Sequence, residues 1–457
     1  MLHHLRLGLV PAYLLLCLVL GGASAAGFWA NMALQLLALP IIFWAVVAER
    51  SAPMSTSARQ LIVILLLSAA LVGLQLIPLP PDLWTALPGR DGVAEGYRML
   101  GQPLPWLPLS LSSHDTVSSA LWLLPAIAVL LGIVRLGSYR SSWLAWAIAS
   151  VTIVAVAIGA LQVVGGESSP WYFYDITNYG VTVGFFSNAN HMATLLIVTI
   201  PFLAALYLRA RSKGRSAQRT SGMFVVLAGA LIIIFVGMAA NRSIAGVALA
   251  VPVLAASLLM ILSRRRRLPR WTPVLVVLLL LGSVAAAFSA PFGNNLTSQE
   301  ARTDDSSRYT SFTRTLDAAG DYFPFGSGIG SFVEIYRTKE DPARIIRTFM
   351  NHAHSDYIEL WLETGVPGAA LILLFLLWWS RRAIALWRSE EPDYFARAAT
   401  IASGAILAHS LVDYPLRTAA MSAVFAMCCA LMAEPRPRVR QTRTEAPETR
   451  ARHLSAD

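Results

Sequence analysis

Charged side chains are scarce in this chain of 457 residues, because Asp, Glu, Lys and Arg together make up only 14% of it. Soluble domains carry roughly a quarter of their residues as charged side chains. Hydrophobic residues reach 56%, and the mean hydropathy is +0.58. Apolar runs of about 18 or more residues recur, and runs of that length cross a membrane as helices. The composition excludes an ordinary soluble protein and predicts an all-α polytopic membrane protein.

Cysteine is nearly absent as well. The three cysteines, Cys17, Cys428 and Cys429, all lie within apolar runs. This spacing indicates neither a disulfide framework nor a cysteine metal site. We therefore interpret them as small buried apolar residues.

Basic residues outnumber acidic ones, 36 against 26, and give a formal net charge of +10. No nucleic-acid partner is expected, because the basic clusters are short and lie between apolar runs, as at 209–219 and 264–267. If the N-terminus is cytoplasmic, the inner loops and tails hold 25 of the 36 Lys and Arg residues and the outer segments hold 11. This asymmetry predicts that both termini are cytoplasmic. The inner clusters can then contact anionic headgroups of membrane lipids.

Hydropathy predicts about twelve transmembrane helices. The first resembles a signal peptide, with Arg6 before an apolar stretch and Ala23–Ser24–Ala25 similar to a cleavage site. We expect it to remain as an uncleaved helix, because so many spans follow. The predicted spans are 6–24, 28–48, 61–80, 116–136, 142–164, 191–209, 222–240, 243–262, 272–290, 356–380, 398–414 and 417–433.

One membrane domain, residues 1–433, is expected to precede a disordered cytoplasmic tail at 434–457, which is rich in Arg, Pro and Glu. The longest outer segment is 291–355. It has 65 residues, and a structureless loop of that size is uncommon in a compact protein and usually functional. Helical spacing over Tyr309–Ala319 predicts that this loop contains short helices.

Ionisable residues close to membrane depth are costly and are therefore candidates for function. Arg242 is one, because it joins two apolar runs at the predicted outer face. A guanidinium group matches the geometry of phosphate oxygens, but an arginine there can equally contact lipid headgroups. Arg308, early in the large outer loop, is a second candidate. Spacing alone does not distinguish it from the other arginines of that loop.

Two histidines, His352 and His354, lie just before an apolar run that is broken by Gly365–Val366–Pro367–Gly368. Their i, i+2 spacing fits the HExxH zinc pattern poorly, so no metal site is expected. A neutral imidazole at the membrane surface can act as a general base near neutral pH. The alternative is that one of the two caps the following helix.

Three further polar or flexible positions are expected to support such a site. Asn190, at the start of a predicted span, offers a helix cap or a contact to a ligand. Gly328, in the glycine-rich segment 326–330, predicts a tight turn whose amides approach a partner closely. Asp413 and Arg417 are expected to form a structural ion pair at the outer end of the eleventh span, although a proline intervenes.

Together these motifs resemble the O-antigen ligase and O-antigen polymerase superfamily. His354–Ser355, nine further residues and then Gly365–Val366–Pro367–Gly368 are similar to the H-[N/S/Q]-x9-G-x-x-G signature of that family. Arg242, and Arg308 upstream of the glycine-rich segment, follow in the family's order. The resemblance is strongest over residues 184–368, which form the predicted ligase-like core.

The resemblance implies a fold similar to the GT-C class of lipid-linked-sugar glycosyltransferases, with neither metal nor cofactor. Such enzymes use a glycan donor linked to undecaprenyl diphosphate at the periplasmic face of the bacterial inner membrane. By this resemblance, His354 is the general base, and Arg242 and Arg308 hold the donor diphosphate. The residues expected to support them are His352, Asn190, Gly328 and Asp413.

The function implied by the resemblance is that of a ligase. It would move a preassembled glycan to a hydroxyl group of a lipid or glycan acceptor and invert the anomeric carbon. A polymerase that joins lipid-linked repeat units stays open, because ligases and polymerases share these motifs. A lipid-linked-glycan flippase or transporter is an alternative of another class. It would place charges through the middle of its spans or use paired broken helices, whereas the candidate charges here gather at one face.

Overall fold

The computed structural model describes residues 2–24, 27–49, 53–212, 217–263, 308–342 and 350–434, with the isolated positions 278 and 282. The structure is mostly helical, with 73% helix and 1% strand. Within the described ranges, eight helices are long and apolar enough to cross a membrane, and two shorter apolar helices accompany them. The helix content and the number of candidate spans confirm the prediction of a mostly helical, polytopic membrane protein.

The helices follow the apolar runs of the sequence. Their bounds are α1 Leu2–Leu20, α2 Phe28–Val47, α3 Thr56–Gln75, α4 Pro81–Trp84, α5 Asp91–Met99, α6 Ser113–Trp122, α7 Leu124–Val134, α8 Ser141–Gly165, α9 Ala189–Ser212, α10 Ala217–Asn241, α11 Ile244–Leu262, α12 Arg308–Asp321, α13 Phe332–Thr338, α14 Asp356–Arg388, α15 Tyr394–His409 and α16 Ala419–Ala433. Two short strands, β1 Pro78–Leu79 and β2 Leu107–Pro108, pair antiparallel.

Every predicted span except the ninth overlaps a helix, and the fourth, 116–136, overlaps both α6 and α7, which together make one of the eight candidate spans. The ninth, 272–290, lies outside the described residues, as do 291–307 of the large loop and the tail from 435. The exact number of twelve spans and the GT-C fold therefore stay predictions. In the large loop, the helix predicted over Tyr309–Ala319 is confirmed as α12.

The core of the bundle is built around α9, which packs against α8, α10, α11 and α15. In the most apolar 18-residue stretch of α9, 94% of the residues are buried, against 28% in that of α10. Helix α9 is therefore central and α10 peripheral. Helix α16 packs against α7 and α15. It is rich in alanine, and small side chains let helix backbones approach closely. The three cysteines are free and buried, as predicted.

Helix α14 is interrupted at Gly365, where the backbone is non-helical with φ 55° and ψ −141°. A Cβ atom at this position would lie 2.1 Å from the carbonyl oxygen of Pro324. The next amide, Val366 N–H, donates to that same oxygen at 2.9 Å. Glycine is therefore required for both the left-handed conformation and the close approach. The break predicted from Gly365–Gly368 is confirmed, and it fixes the first turns of α14 against the large outer loop.

Candidate functional site

Five helix ends meet at the segment between α15 and α16. They are the starts of α9, α11, α12 and α14 and the end of α15. Phe312 of α12 packs with Ala245 of α11 and with Val412, which follows α15. The backbone N–H of Asp356, at the start of α14, donates to the carbonyl oxygens of Ser410 and Asp413. Most of the sequence-predicted site residues therefore lie within one region.

Asp413 is the hub of this region, and its side chain is 1% exposed. Its Oδ2 accepts hydrogen bonds from Asn190 Nδ2 at 2.6 Å and from Arg308 Nη2 at 3.2 Å. Its Oδ1 lies 3.4 Å from His191 Nε2. Burial raises the pKa of this carboxyl, but the hydrogen bond from His191 and the positive charge of Arg308 outweigh burial and hold the pKa well below its usual range. Asp413 is thus a fixed anion that orients an arginine and an asparagine.

The predicted ion pair between Asp413 and Arg417 is wrong. The chain turns through a 3-10 helix at Pro415–Arg417 instead of continuing α15, so the i, i+4 spacing no longer places the two side chains together. Arg417 instead contacts three carboxylates of α14, with Asp356 at 3.7 Å, Glu359 at 3.3 Å and Glu363 at 3.1 Å.

Tyr414 lies between three imidazole rings. The ring centroids of His191, His352 and His354 are 5.0, 4.5 and 5.3 Å from its own ring centroid. Tyr414 is 5% exposed, and its hydroxyl oxygen accepts a hydrogen bond from Asn188 at 3.4 Å. Burial raises the pKa of the Tyr414 phenol, so the ring stays neutral. Sequence reasoning gave this tyrosine no role, because its aromatic neighbours are distant in sequence.

Two of the predicted site residues have a left-handed backbone conformation. Among the described residues other than glycine, only Arg242, at φ 60°, and His354, at φ 57°, have positive φ. Such residues cost of order 1–3 kcal/mol each and persist where the surrounding structure holds them in place. Both positions were selected from the sequence by their chemistry and by the family resemblance, without reference to backbone conformation. The strain is an independent indication that they belong to a functional site.

His354 is half-buried, and its backbone is anchored on both sides. Before it, the Ala353 carbonyl accepts a hydrogen bond from Ser311 Oγ at 3.1 Å. After it, Ser355 caps α14 by accepting from the Ile358 N–H. Burial lowers the pKa of His354 to about 4, with a further lowering by Arg308 that Asp413 opposes. The imidazole is therefore neutral at pH 7, the form that accepts a proton.

Arg242 lies in a tight turn between α10 and α11, and its side chain is exposed. Asn241 Nδ2 donates to the carbonyl oxygens of Thr182 and Ala189, at 2.7 and 2.9 Å. On the other side, Ser243 Oγ donates to Asn190 Oδ1 at 2.7 Å. The turn is thus fixed to the start of α9 through both neighbours of Arg242.

Asn190 connects the two arginines. Its Oδ1 accepts from Ser243, next to Arg242, and its Nδ2 donates to Asp413, which holds Arg308. Arg308 is the first residue of α12, and its side chain is 19% exposed. Asn190 therefore joins both arginine positions in one network, although its role in binding stays a prediction.

The contacts of His352 and Gly328 differ from those predicted for them. Ser355, rather than a histidine, caps α14, and His352 Nδ1 lies 2.9 Å from Glu359 Oε1. Gly328 has φ 109°, and a Cβ there would lie 2.3 Å from Ser110 Oγ. Its amide donates to the Glu363 carbonyl oxygen at 2.9 Å. The close approach at Gly328 is therefore made within the protein itself.

Buried carboxylates of α14 are a second feature to which sequence reasoning assigned no individual role. Glu359 and Glu363 are 1% and 0% exposed. Their spacing of four residues, in a polar start to an apolar run, was the available signal, because it places both on one helix face. In the part of the chain that the structure describes, no group of three His, Cys, Asp or Glu side chains is arranged to hold a metal ion.

Comparison with known proteins gives one family match. The family described as O-antigen ligase matches residues 229–373, a range that contains Arg242, Arg308, His352 and His354. None of the curated proteins matches the chain. The match covers less than half of the chain, and it includes the histidine signature and the glycine break on which the resemblance was based. Residues 229–373 of this membrane protein are thus similar to the O-antigen ligase family, and the match supports the resemblance drawn from the motifs.

Proposed function

We propose that this protein is an O-antigen ligase-type glycosyltransferase. It moves a preassembled glycan from undecaprenyl diphosphate to a hydroxyl group of a lipid or glycan acceptor, at the periplasmic face of the bacterial inner membrane. Both termini are cytoplasmic, and the reaction needs no metal. The family match supports ligase-type or polymerase-type chemistry on a lipid-linked glycan. The donor, the acceptor and the residue roles are our proposal.

The observation that carries the proposal is the short path of contacts between the three candidate side chains. Arg308 contacts Asp413 directly. The next residue, Tyr414, contacts the ring of His354. The Asn190 bridge connects the same carboxylate to the turn of Arg242. Two permanent cations and a neutral imidazole at one end of the helices suit a reaction in which an anion leaves and a hydroxyl loses its proton.

The reaction is a single displacement. The acceptor oxygen attacks the anomeric carbon, the bond from that carbon to the phosphate oxygen breaks, and undecaprenyl diphosphate leaves with both electrons. The acceptor proton passes to the neutral imidazole of His354, and attack from the opposite side inverts the anomeric carbon. General-base catalysis contributes about 10²–10⁴-fold to such a step.

Arg242 and Arg308 stabilise the negative charge that grows on the diphosphate. A preorganised donor of this kind typically contributes about 10²–10³-fold in rate. Arg308 is held by a buried carboxylate and Arg242 by a strained turn. Their positions are therefore fixed before the donor arrives, and little reorganisation opposes the reaction.

The first experiment tests His354 in proteoliposomes that contain a purified undecaprenyl-diphosphate-linked glycan and candidate acceptors. His354→Ala should lower transfer at least about 100-fold, because the acceptor hydroxyl loses its base. His114→Ala is the matched control, since His114 is exposed in α6, and it should transfer normally. A folded His354→Ala protein with near-normal transfer would refute the assignment of the base.

The same assay tests the arginines and the type of reaction. Arg242→Lys and Arg308→Lys should both impair turnover, because lysine cannot reproduce the guanidinium fork. Arg98→Lys is the control, at an exposed pair with Glu95. Normal turnover in both site variants would make the arginines lipid contacts. A product with one glycan on a non-donor acceptor supports a ligase, whereas donor-linked products with increasing numbers of repeats identify a polymerase.

A further inference from the structure

Glu359 is a buried carboxylate that the proposed reaction does not use. Its side chain is 1% exposed, yet both of its oxygens are engaged. Oε1 lies 2.9 Å from His352 Nδ1 and 3.3 Å from Arg417 Nη1. Oε2 accepts a hydrogen bond from the backbone N–H of Ala353 at 2.8 Å. Glu359 therefore contacts both the side chain of one site histidine and the backbone next to the other.

The contact with His352 determines which ring nitrogen carries the proton. An ionised carboxylate can only accept hydrogen bonds. At 2.9 Å, His352 must therefore donate from Nδ1 to Glu359, and in the neutral tautomer that makes this bond the lone pair lies on Nε2. The partner of one ring nitrogen sets the state of the other in this way. The same carboxylate also prevents the ring from turning away from Tyr414, whose centroid is 4.5 Å distant.

The contact with Ala353 acts on His354. Ala353 N–H is held by Glu359, and the Ala353 carbonyl is held by Ser311. The residue that follows is His354, with its left-handed φ of 57°. Because a non-glycine residue does not adopt this conformation without support, these hydrogen bonds are part of what maintains it. Loss of the carboxylate removes one of the two restraints at Ala353.

Arg417 supplies the positive charge that keeps Glu359 ionised in a buried position. It contacts Glu359 at 3.3 Å and Glu363 at 3.1 Å. Glu363 differs from Glu359 in its other contact, because its Oε1 accepts from the Gly330 N–H at 2.8 Å and touches no histidine. The two glutamates lie one helical turn apart and share a cation. Only one of them contacts the site histidines.

We propose that Glu359 is a positioning residue of the transfer site, which fixes the ring and tautomer of His352 through one oxygen and the backbone conformation of His354 through the other. This inference rests on the proposed function. In it, His352 presents the Nε2 lone pair to a hydroxyl group of the acceptor sugar, beside the imidazole that removes the reacting proton. Arg417 acts through Glu359 and not on the substrate.

Glu359→Gln is the sharpest perturbation, because it keeps the shape of the side chain. The single carbonyl oxygen of glutamine can still accept from Ala353 N–H. Its amide nitrogen then takes the place of Oε1, between His352 Nδ1 and Arg417 Nη1, and no longer accepts from either. A neutral His352 ring can pair with this amide only by accepting at Nδ1, with its proton on Nε2. Glu363→Gln is the matched control. It alters the other glutamate that contacts Arg417, at closely similar burial and with no histidine in contact.

Two measurements are made on full-length protein in lipid nanodiscs, after thermal melting has shown that each variant is folded. Transfer kinetics should give a kcat for Glu359→Gln that is about 10–100-fold below that of Glu363→Gln, the range found where a hydrogen-bonded partner orients a functional imidazole. The KM for the donor should not change. Nitrogen-15 NMR of labelled histidines should report the proton of His352 on Nδ1 in the wild type and on Nε2 in Glu359→Gln.

A double-mutant cycle tests whether Glu359 acts through His352. His352→Gln should lower kcat by itself, and adding Glu359→Gln to it should cost less than Glu359→Gln costs alone, because the two residues act as a unit. Equal kcat in Glu359→Gln and Glu363→Gln, or an unchanged tautomer, would overturn the inference while wild-type transfer stands. Absence of transfer by the wild type with every lipid-linked glycan and acceptor would instead refute the proposed function.

Discussion

Replacement of Arg417 by methionine should destabilise the protein strongly, whatever its substrate proves to be. Methionine keeps an unbranched apolar stem like that of arginine and removes the charged guanidinium group. The guanidinium contacts three carboxylates, Asp356, Glu359 and Glu363, whose side chains are 5%, 1% and 0% exposed. Arg417 itself is 17% exposed. The variant therefore leaves three nearly buried carboxylates without this cation.

The magnitude follows from two opposing effects. One ion pair at about 4 Å is worth about 4 kcal/mol of gross attraction at an effective dielectric constant of about 20, and Arg417 contributes this to each of its carboxyl partners that is ionised. Desolvation costs several kcal/mol per buried ion, and the carboxylates repel one another, so most of this attraction is cancelled. Breaking a buried pair by removing one partner costs about 3–5 kcal/mol. We expect Arg417→Met to lower the free energy of unfolding by that amount.

The assay is unfolding of purified protein in mixed micelles, followed by tryptophan fluorescence. Arg98→Met is the control, because Arg98 pairs with Glu95 on the surface, with both side chains more than half exposed. Such pairs contribute about 0–1 kcal/mol. Addition of Glu363→Gln to Arg417→Met should recover part of the loss, since one uncompensated charge is removed. Arg417→Met as stable as the control would refute the view that these carboxylates are ionised and held by Arg417.

Two further predictions concern the turn at Gly328 and the pH dependence of transfer. Gly328→Ala should destabilise the protein by about 1–3 kcal/mol or more, because φ is 109° and the new Cβ would lie 2.5 Å from the Ser110 Cα. Gly320→Ala, in α12 with open space around it, should be neutral or stabilising in the same melting assay. Because burial lowers the pKa of His354 to about 4, kcat/KM should stay flat as the pH falls from 8 to about 5 and decline only near pH 4. An acid limb near pH 6.5 would show that this imidazole is not buried in the free enzyme.

The helical framework could be predicted from the sequence, because each span is encoded locally by its own apolar run. The break at Gly365 was also predictable, because two glycines and a proline fall within four residues there. The partners of Asp413 could not be predicted in this way. They come from Asn190, His191 and Arg308, which lie 105 or more residues away in sequence. Local spacing instead favoured Arg417, and the turn at Pro415 makes that pairing wrong.

Residue type gave no indication of strain at Arg242 and His354. Left-handed conformation is commonly signalled by glycine, and the structure has it at Gly365, where the sequence predicted a break. An arginine and a histidine carry no such signal. The resemblance to the ligase family selected both residues for their chemistry, and the backbone then singled them out by geometry.

The agreement between chemistry and strain has a physical reason. A left-handed residue other than glycine is uncommon and costly, so it persists where its neighbours hold the backbone in place. At Arg242 the turn between α10 and α11 is held by Asn241 and Ser243, and at His354 the start of α14 is held by Ala353 and Ser355. In both cases the neighbours make the hydrogen bonds that fix the backbone. The cost of each strained conformation is therefore sustained by hydrogen bonds of the neighbouring residues, which leaves the side chains of Arg242 and His354 out of the contacts that fix the backbone.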